Sequence, residues 1–384
     1  MLGGATGLRN TSLLFMMLLL GGAGGGGELD WKRALLVPVL CISLILACLP
    51  GALVANDWSD LLRLAQGMCA SALVFVVGMR IGGHLAAFWA GMIAFIVGLL
   101  TLALISIWVP WLPYLPPSLV AFVNHWYPWY GVASSIAVVS FPLIFLMWAP
   151  GADRIRKWAM RSCIVAMLII LLSAQNRMSF VVITVVLAVC LAQQVACMER
   201  RSKLLLLGCF FLLIGAGGGK MLNKLPADTT NKAYSEMLVN TVRHDPRIAG
   251  WNFWIEKSEV MPWYGFGHGK RNLGQILSPA ERGDPRLWDP ALATHAHNMV
   301  FNFWLRGGYP ALMAFLILWI GLLRPFYGQK DSRAAKAGLG IVIAMLLKNM
   351  TDDFFEAPLN LLFFFWVGAL AAYVAREQEA MDST

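Results

Sequence analysis

Residues Thr294 to Phe315 read THAHNMVFNFWLRGGYPALMAF. The apolar run, counted as roughly 296–323, is long enough to cross a bilayer. Two histidines, His295 and His297, stand at its mouth, and Asn298 follows the second. A membrane helix that begins on an imidazole raises two questions: what fold surrounds it, and what a proton-carrying side chain does there.

The composition answers the first. Of 384 residues, 59% are hydrophobic and 13% charged, whereas a soluble domain carries about a quarter charged residues. Apolar runs recur at roughly 11–27, 34–50, 62–79, 84–109, 131–149, 158–174, 180–198, 204–220, 296–323, 337–350 and 357–375. Only helices satisfy every backbone polar group within lipid without closing a barrel. The expected fold is therefore an all-α polytopic membrane protein with about 11–12 transmembrane helices, the twelfth hidden in the Gly- and Pro-rich N-terminal part. The first run ends in GGAGGGG and shows no small-x-small cleavage pattern, so it reads as retained. All seven cysteines fall in apolar runs without a CxxC pair and read as packing residues. The formal charge of +9 is scattered over helix ends, which argues against nucleic acid.

Short connections set the orientation. Bases cluster in Asp153-Arg-Ile-Arg-Lys157, in Glu199-Arg-Arg-Ser-Lys203 and from Arg324 to Lys336, the mark of cytoplasmic loops. The alternate connections Asn56–Asp60, Gln175–Ser179 and Thr351–Glu356 are acidic or nearly free of bases, as outer loops are. The C-terminus then lies in the cytoplasm. The chain divides into N-terminal transmembrane helices (1–220), a large outer loop (221–294), and C-terminal transmembrane helices with a short tail (295–384).

The large loop has its own signals. Tyr234, Met237, Leu238 and Thr241 fall at helical spacing between Lys232 and Arg243, as in an amphipathic helix lying on the membrane. Asp245-Pro246 starts a second helix, which Met261-Pro262 stops near Val260. The glycines of Tyr264-Gly-Phe-Gly-His-Gly269 predict a tight turn.

Three side chains carry chemistry on the outer side. Arg177 sits in a five-residue loop between apolar helices, a costly place for an arginine unless it faces a cavity, a ligand or the lipid headgroups. Arg247 lies in the first turn of its helix, where unpaired N–H groups already favour an anion, and Trp251 and Trp254 follow on nearly the same face, as a wall would. His297 is the third. Two arginines suit a phosphate or pyrophosphate through bidentate bonds, and histidine moves protons near neutral pH. Gly215-Ala-Gly-Gly-Gly-Lys220 fails the spacing of a phosphate loop. No carboxylate pair joins His295-x-His297, so no metal is expected. The unusual charges gather at one interface, where a transporter would hold ionisable groups near mid-membrane.

On these residues the chain resembles the O-antigen ligase family, within the wider group of ligases and polymerases that handle undecaprenyl-linked glycans. The resemblance rests on Arg177 in SAQNRMSF, Arg247 and Trp251 in RIAGW, Pro262, Gly265 and Gly267 in PWYGFGHG, and His297-Asn298 followed by Gly307-Gly308. Ala311 departs from it, standing where a second glycine is common.

The resemblance implies a GT-C-like glycosyltransferase of the bacterial inner membrane with a periplasmic active site. The donor would be O-antigen polysaccharide on undecaprenyl pyrophosphate and the acceptor a lipid A–core sugar hydroxyl, with no metal, nucleotide or other cofactor. His297, Arg177 and Arg247 would be catalytic. Arg243, Trp251, Gly265, Gly267 and Asn298 would bind substrate. An O-antigen polymerase using the same donor is the nearest alternative; a non-enzymatic transporter of lipid-linked glycan is the alternative from another class.

Overall fold

The structure is a computed structural model that describes residues 31–56, 58–126, 130–147, 154–174, 176–191, 246–267, 273, 276–287, 296–329, 332–350 and 359–383. All regular secondary structure among these residues is helical. In chain order the helices are α1 (Trp31–Ala55), α2 (Trp58–Gly82), α3 (Leu85–Trp108), α4 (Pro117–Trp126), α5 (Tyr130–Ser140), α6 (Ile144–Met147), α7 (Arg154–Ala174), α8 (Arg177–Leu191), α9 (Pro246–Ser258), α10 (Pro279–Arg282), α11 (Met299–Leu323), α12 (Arg333–Asn349) and α13 (Leu359–Asp382). Among the described residues, six helices are long and apolar enough to cross a membrane: α1, α2, α3, α7, α11 and α13. The chain is thus an all-α, multi-pass membrane protein. The runs expected at 11–27 and 204–220, and the amphipathic helix at 232–243, lie outside the described residues.

One expected span has a different form, and one helix is additional. The described part of the run at 131–149 is a short helix, α5, then a 3-10 turn over Phe141–Leu143 and the single turn α6. Pro142 sits at the start of that turn, where its missing N–H and its ring end the α-helical ladder. After α3 the chain tightens through a 3-10 stretch, Val109–Tyr114, and forms the additional helix α4. Pro110 and Pro113 shape the stretch and Pro117 opens α4, the helical position proline suits best.

Relative helix directions follow from which residues meet. Gly51 of α1 abuts Arg306 of α11, Gly307 abuts Cys48, and Gly321 abuts Leu40, so α1 and α11 are antiparallel. Phe88 of α3 packs on Tyr373 of α13 and Phe95 on Trp366, so α3 and α13 are also antiparallel. The Oγ of Ser332, just before α12, donates to Glu377 Oε2 near the end of α13 at 2.6 Å. The end of α1, the starts of α2, α11 and α13, and the end of α12 therefore share one face of the bundle, here called the site end. This is the relative alternation expected for the Asn56–Asp60 and Thr351–Glu356 connections and the start of α11.

Small residues let the bundle close. Gly78 and Gly82 of α2 form a GxxxG pair whose backbone lies against the carbonyls of Phe365 and Ala369, and Gly368 of α13 lies against the carbonyl of Phe75. A methyl group at any of the three would overlap the facing backbone. Lipid offers apolar side chains as good an environment as protein does, so close backbone packing of this kind is what holds such helices together. One core joins α1, α2, α11, α12 and α13. A second joins α3, α5, α7 and α8 and includes Ala344 of α12. Cys41, Cys48 and Cys163 are buried as expected, but Cys69 on α2 is exposed, so not every cysteine is a packing residue.

Candidate functional site

A small third core caps the site end. Phe253 and Trp254 of α9 bury against Leu273, Leu277 and Leu287, and against Ala296 and Leu305 at the start of α11. Trp254 is 1% exposed. It is a core residue and does not form a wall with Trp251. α9 spans Pro246–Ser258, close to the limits expected from Asp245-Pro246 and Met261-Pro262.

His297 follows directly from this packing. The indole Nε1–H of Trp251 donates to the carbonyl of Ala296 at 2.6 Å. The N–H of Ala296 donates to Asn302 Oδ1 at 2.8 Å. Ala296 is fully buried, so both polar groups need these partners. Asn298 Oδ1 then accepts from the N–H groups of Val300 and Phe301 at 2.9 and 3.2 Å and caps α11, a contribution of about 1 kcal/mol. His297 is held between the clamped peptide and the cap, with φ at +47°. A left-handed backbone costs a non-glycine residue about 1–2 kcal/mol, which the bonds on either side offset. The residue is half-buried and its Nε2 is enclosed.

Below His297, α11 breaks. Gly308 has φ +66° and ψ −158°, and Pro310 follows. In an unbroken helix the Leu305 carbonyl would accept from Tyr309 and the Arg306 carbonyl from residue 310, which as proline has no N–H. Both carbonyls are instead taken by the glycine turn: Phe266 N–H donates to Leu305 at 2.7 Å and Gly267 N–H to Arg306 at 3.0 Å. Tyr309 N–H donates in return to the Trp263 carbonyl at 3.1 Å. Gly265 and Gly267, with φ of +79° and +108°, form the expected tight turn. It is wedged against Gly308 and against Gly51 of α1, and Gly265 itself is buried. The two runs PWYGFG and RGGYP, far apart in sequence, are thus complementary halves of one backbone joint.

Charged pairs fasten the rest of the cap to α9. Arg286 binds Asp284 at 2.9 Å and Glu256 at 2.7 Å, and its guanidinium lies 5.2 Å from the Phe253 ring centroid. Lys257 binds Glu281 at 2.6 Å. Ser278 and Glu281 form a reciprocal capping box at α10. The bond from Lys257, followed by those from Ser278, holds the Glu281 carboxyl down at about 2. The bonds from Arg286 lower Asp284 likewise.

The expected site residues divide accordingly. Trp251 and Asn298 hold the residues on either side of His297, whereas Gly265 and Gly267 meet α11 further along, at Arg306 and Gly308. Arg247 lies one turn before Trp251 on the same face of α9 and is half-buried. Arg177 is the first residue of α8, and its side chain lies outside the described residues, as does all of Arg243. Two charged residues have no counterpart among those expected from sequence. Arg306 is 6% exposed and Lys348 is 1% exposed, each within a helix of the bundle. Lys348, beside Asn349 at the end of α12, belongs to the site end. Asn302, which holds the Ala296 N–H, is a further addition. Its signal is present in the sequence: a polar residue one turn after the helix cap on an otherwise apolar run.

No protein-family model matches the chain, and no curated protein matches it in sequence.

Proposed function

We propose that the chain is a metal-independent, inverting membrane glycosyltransferase of the O-antigen ligase type. It would transfer a glycan from undecaprenyl pyrophosphate to a sugar hydroxyl of lipid A–core on the periplasmic face of the inner membrane. The observation that carries this reading is the Trp251–Ala296 hydrogen bond. It ties the helix that bears Arg247 to the peptide that precedes His297, so an anion-binding group and a proton acceptor ride on one rigid joint.

In this reading His297 takes the proton of the acceptor hydroxyl. The acceptor oxygen bonds to the anomeric carbon of the donor, and the bond from that carbon to the pyrophosphate oxygen breaks. The electron pair leaves with the pyrophosphate. Arg177 and Arg247, with Arg243, stabilise its growing charge, and such charge stabilisation usually supplies most of the rate enhancement. Attack opposite the leaving group inverts the anomeric centre. The donor is already activated, so the step needs no nucleotide. Asn298 uses its Oδ1 for the helix cap, and Gly265 and Gly267 act by holding α11 in place. Arg306 and Lys348 belong to the site-end parts of α11 and α12, which favours an enzyme at one face over a transporter with charges at mid-membrane.

Expression in a bacterial strain lacking its own ligase tests the assignment. A ladder on lipid A–core in a lipopolysaccharide gel supports the ligase. Longer glycan chains not attached to lipid A–core identify a polymerase, and an unchanged gel from correctly inserted protein counts against both.

A further inference from the structure

The apolar length of α11 suggests a crossing that starts at Met299, but its exposed surface does not. The large hydrophobic side chains it exposes are Tyr309 (58%), Met313 (55%), Leu316 (40%), Ile317 (47%) and Ile320 (66%), and all of them lie beyond the break at Gly308. They form one stripe at helical spacing. Between Met299 and Gly308 no residue is exposed. One side of this stretch packs into the bundle through Met299 and Phe303, and the other lies under the cap through Phe301, Trp304 and Leu305. It is apolar because protein covers it on both sides.

Lengths agree. From Met299 to Leu323 the helix rises about 36 Å, more than the roughly 30 Å of hydrocarbon. From Tyr309 through the 3-10 turn to Tyr327 the rise is about 28 Å. On α1 the distance from Arg33 to Gly51, which meets the same joint, is about 27 Å, and on α13 that from Leu359 to Arg376 is about 26 Å. Exposed aromatics mark the boundary. Trp58, Trp108, Trp111, Tyr114, Trp263 and Tyr309 are all exposed at the site end, while Tyr327 is exposed at the other. Tryptophan and tyrosine gather at the edges of the hydrocarbon in this way. Val260 is 72% exposed beside Trp263, whose carbonyl accepts from Tyr309 N–H.

We propose that the membrane surface at the site end lies at the level of Tyr309 and Trp263, and that Val260 and Trp263 rest the cap on the lipid. The hydrocarbon-spanning part of α11 begins after Gly308, and Met299–Gly307 is an extramembrane helix enclosed between cap and bundle. His297 stands beyond the lipid edge, at most about 18 Å above Tyr309 along the helix.

Spin-label accessibility in a lipid bilayer tests this without any activity. Single cysteines replace Asn252, Val260, Tyr309, Met313, Ile317 and Ile320, all exposed positions, in a background lacking the native seven. Accessibility to oxygen relative to a water-soluble nickel chelate should be greatest at Ile317, fall toward Tyr309, and reach interface values at Val260 and aqueous values at Asn252. If α11 spans from Met299, the maximum moves up to Met313 and Tyr309 reads as deep as Ile317, which overturns the proposal. Yields of inserted protein provide a second measurement: Tyr309→Lys should match wild type while Ile317→Lys falls well below it. Equal losses in both would overturn the proposal independently.

Discussion

Gly265 and Gly308 meet backbone to backbone, each with positive φ, and neither has room for a Cβ. The contact seats the glycine turn in the broken turn of α11. Gly308→Ala should therefore cost more than the roughly 1–2 kcal/mol of left-handed strain alone, because the methyl also overlaps the carbonyl of Trp263. Gly67→Ala, at an open helical position, should hold the midpoint or raise it slightly. Thermal unfolding in detergent compares them. An unchanged midpoint in Gly308→Ala would show that the joint is loose.

Trp251→Phe keeps an aromatic side chain but removes the N–H that satisfies the buried carbonyl of Ala296. Leaving such a group without its partner costs about 1–3 kcal/mol. The peptide before His297 should loosen, and the transfer rate should fall by at least about tenfold at matched protein levels. Asn302→Ala should act in the same direction by freeing the N–H of the same residue, Ala296. A full rate in both variants would remove the clamp from the mechanism.

Arg177→Lys tests geometry against charge. Lysine keeps the charge but lacks the planar fork that grips a pyrophosphate. The loss of transition-state stabilisation should be on the order of 2–4 kcal/mol. Wild-type transfer by Arg177→Ala in normally inserted protein would leave this arginine only a role at the lipid surface.

Acid should loosen the cap before the bundle. The folded pKa of Glu281 is depressed to about 2 from an ordinary value of 4.5, and that of Asp284 is also lowered. Their stabilising effect is complete above the unfolded values and fades as pH falls from about 4.5 toward 2. Hydrogen exchange of residues 278–287 should speed up across that window while α2 and α13 stay protected. Simultaneous loss of protection in both would show that the carboxylates do not fasten the cap specifically.

Much of this is legible in sequence because its causes are local. Asp245-Pro246 and Met261-Pro262 mark the limits of α9, and the glycines after Tyr264 mark the turn. What is not legible depends on what lies opposite. The apolar pattern of Met299–Gly307 is the same whether lipid or protein covers it, so the run reads as one span. The charges of Arg306 and Lys348 are visible, but their burial follows from neighbours distant in sequence. Trp254 points inward and Trp251 bonds to Ala296 because of a cap core assembled from residues 253 to 305. The pairing of the 263–267 turn with the Gly308 break has no local signature, since each half looks like an ordinary glycine turn or an ordinary proline kink.

The central claim is that His297 does acid–base work in glycan transfer. The direct measurement is the initial rate of purified protein in bilayers, supplied with undecaprenyl pyrophosphate-linked glycan and lipid A–core. Wild type should form the joined product without added metal or nucleotide. His297→Ala should be slower by about 10²–10⁴-fold, the usual cost of losing a general base, while His295→Ala stays near wild type. Equal rates for His297→Ala and wild type at matched protein levels would contradict the account.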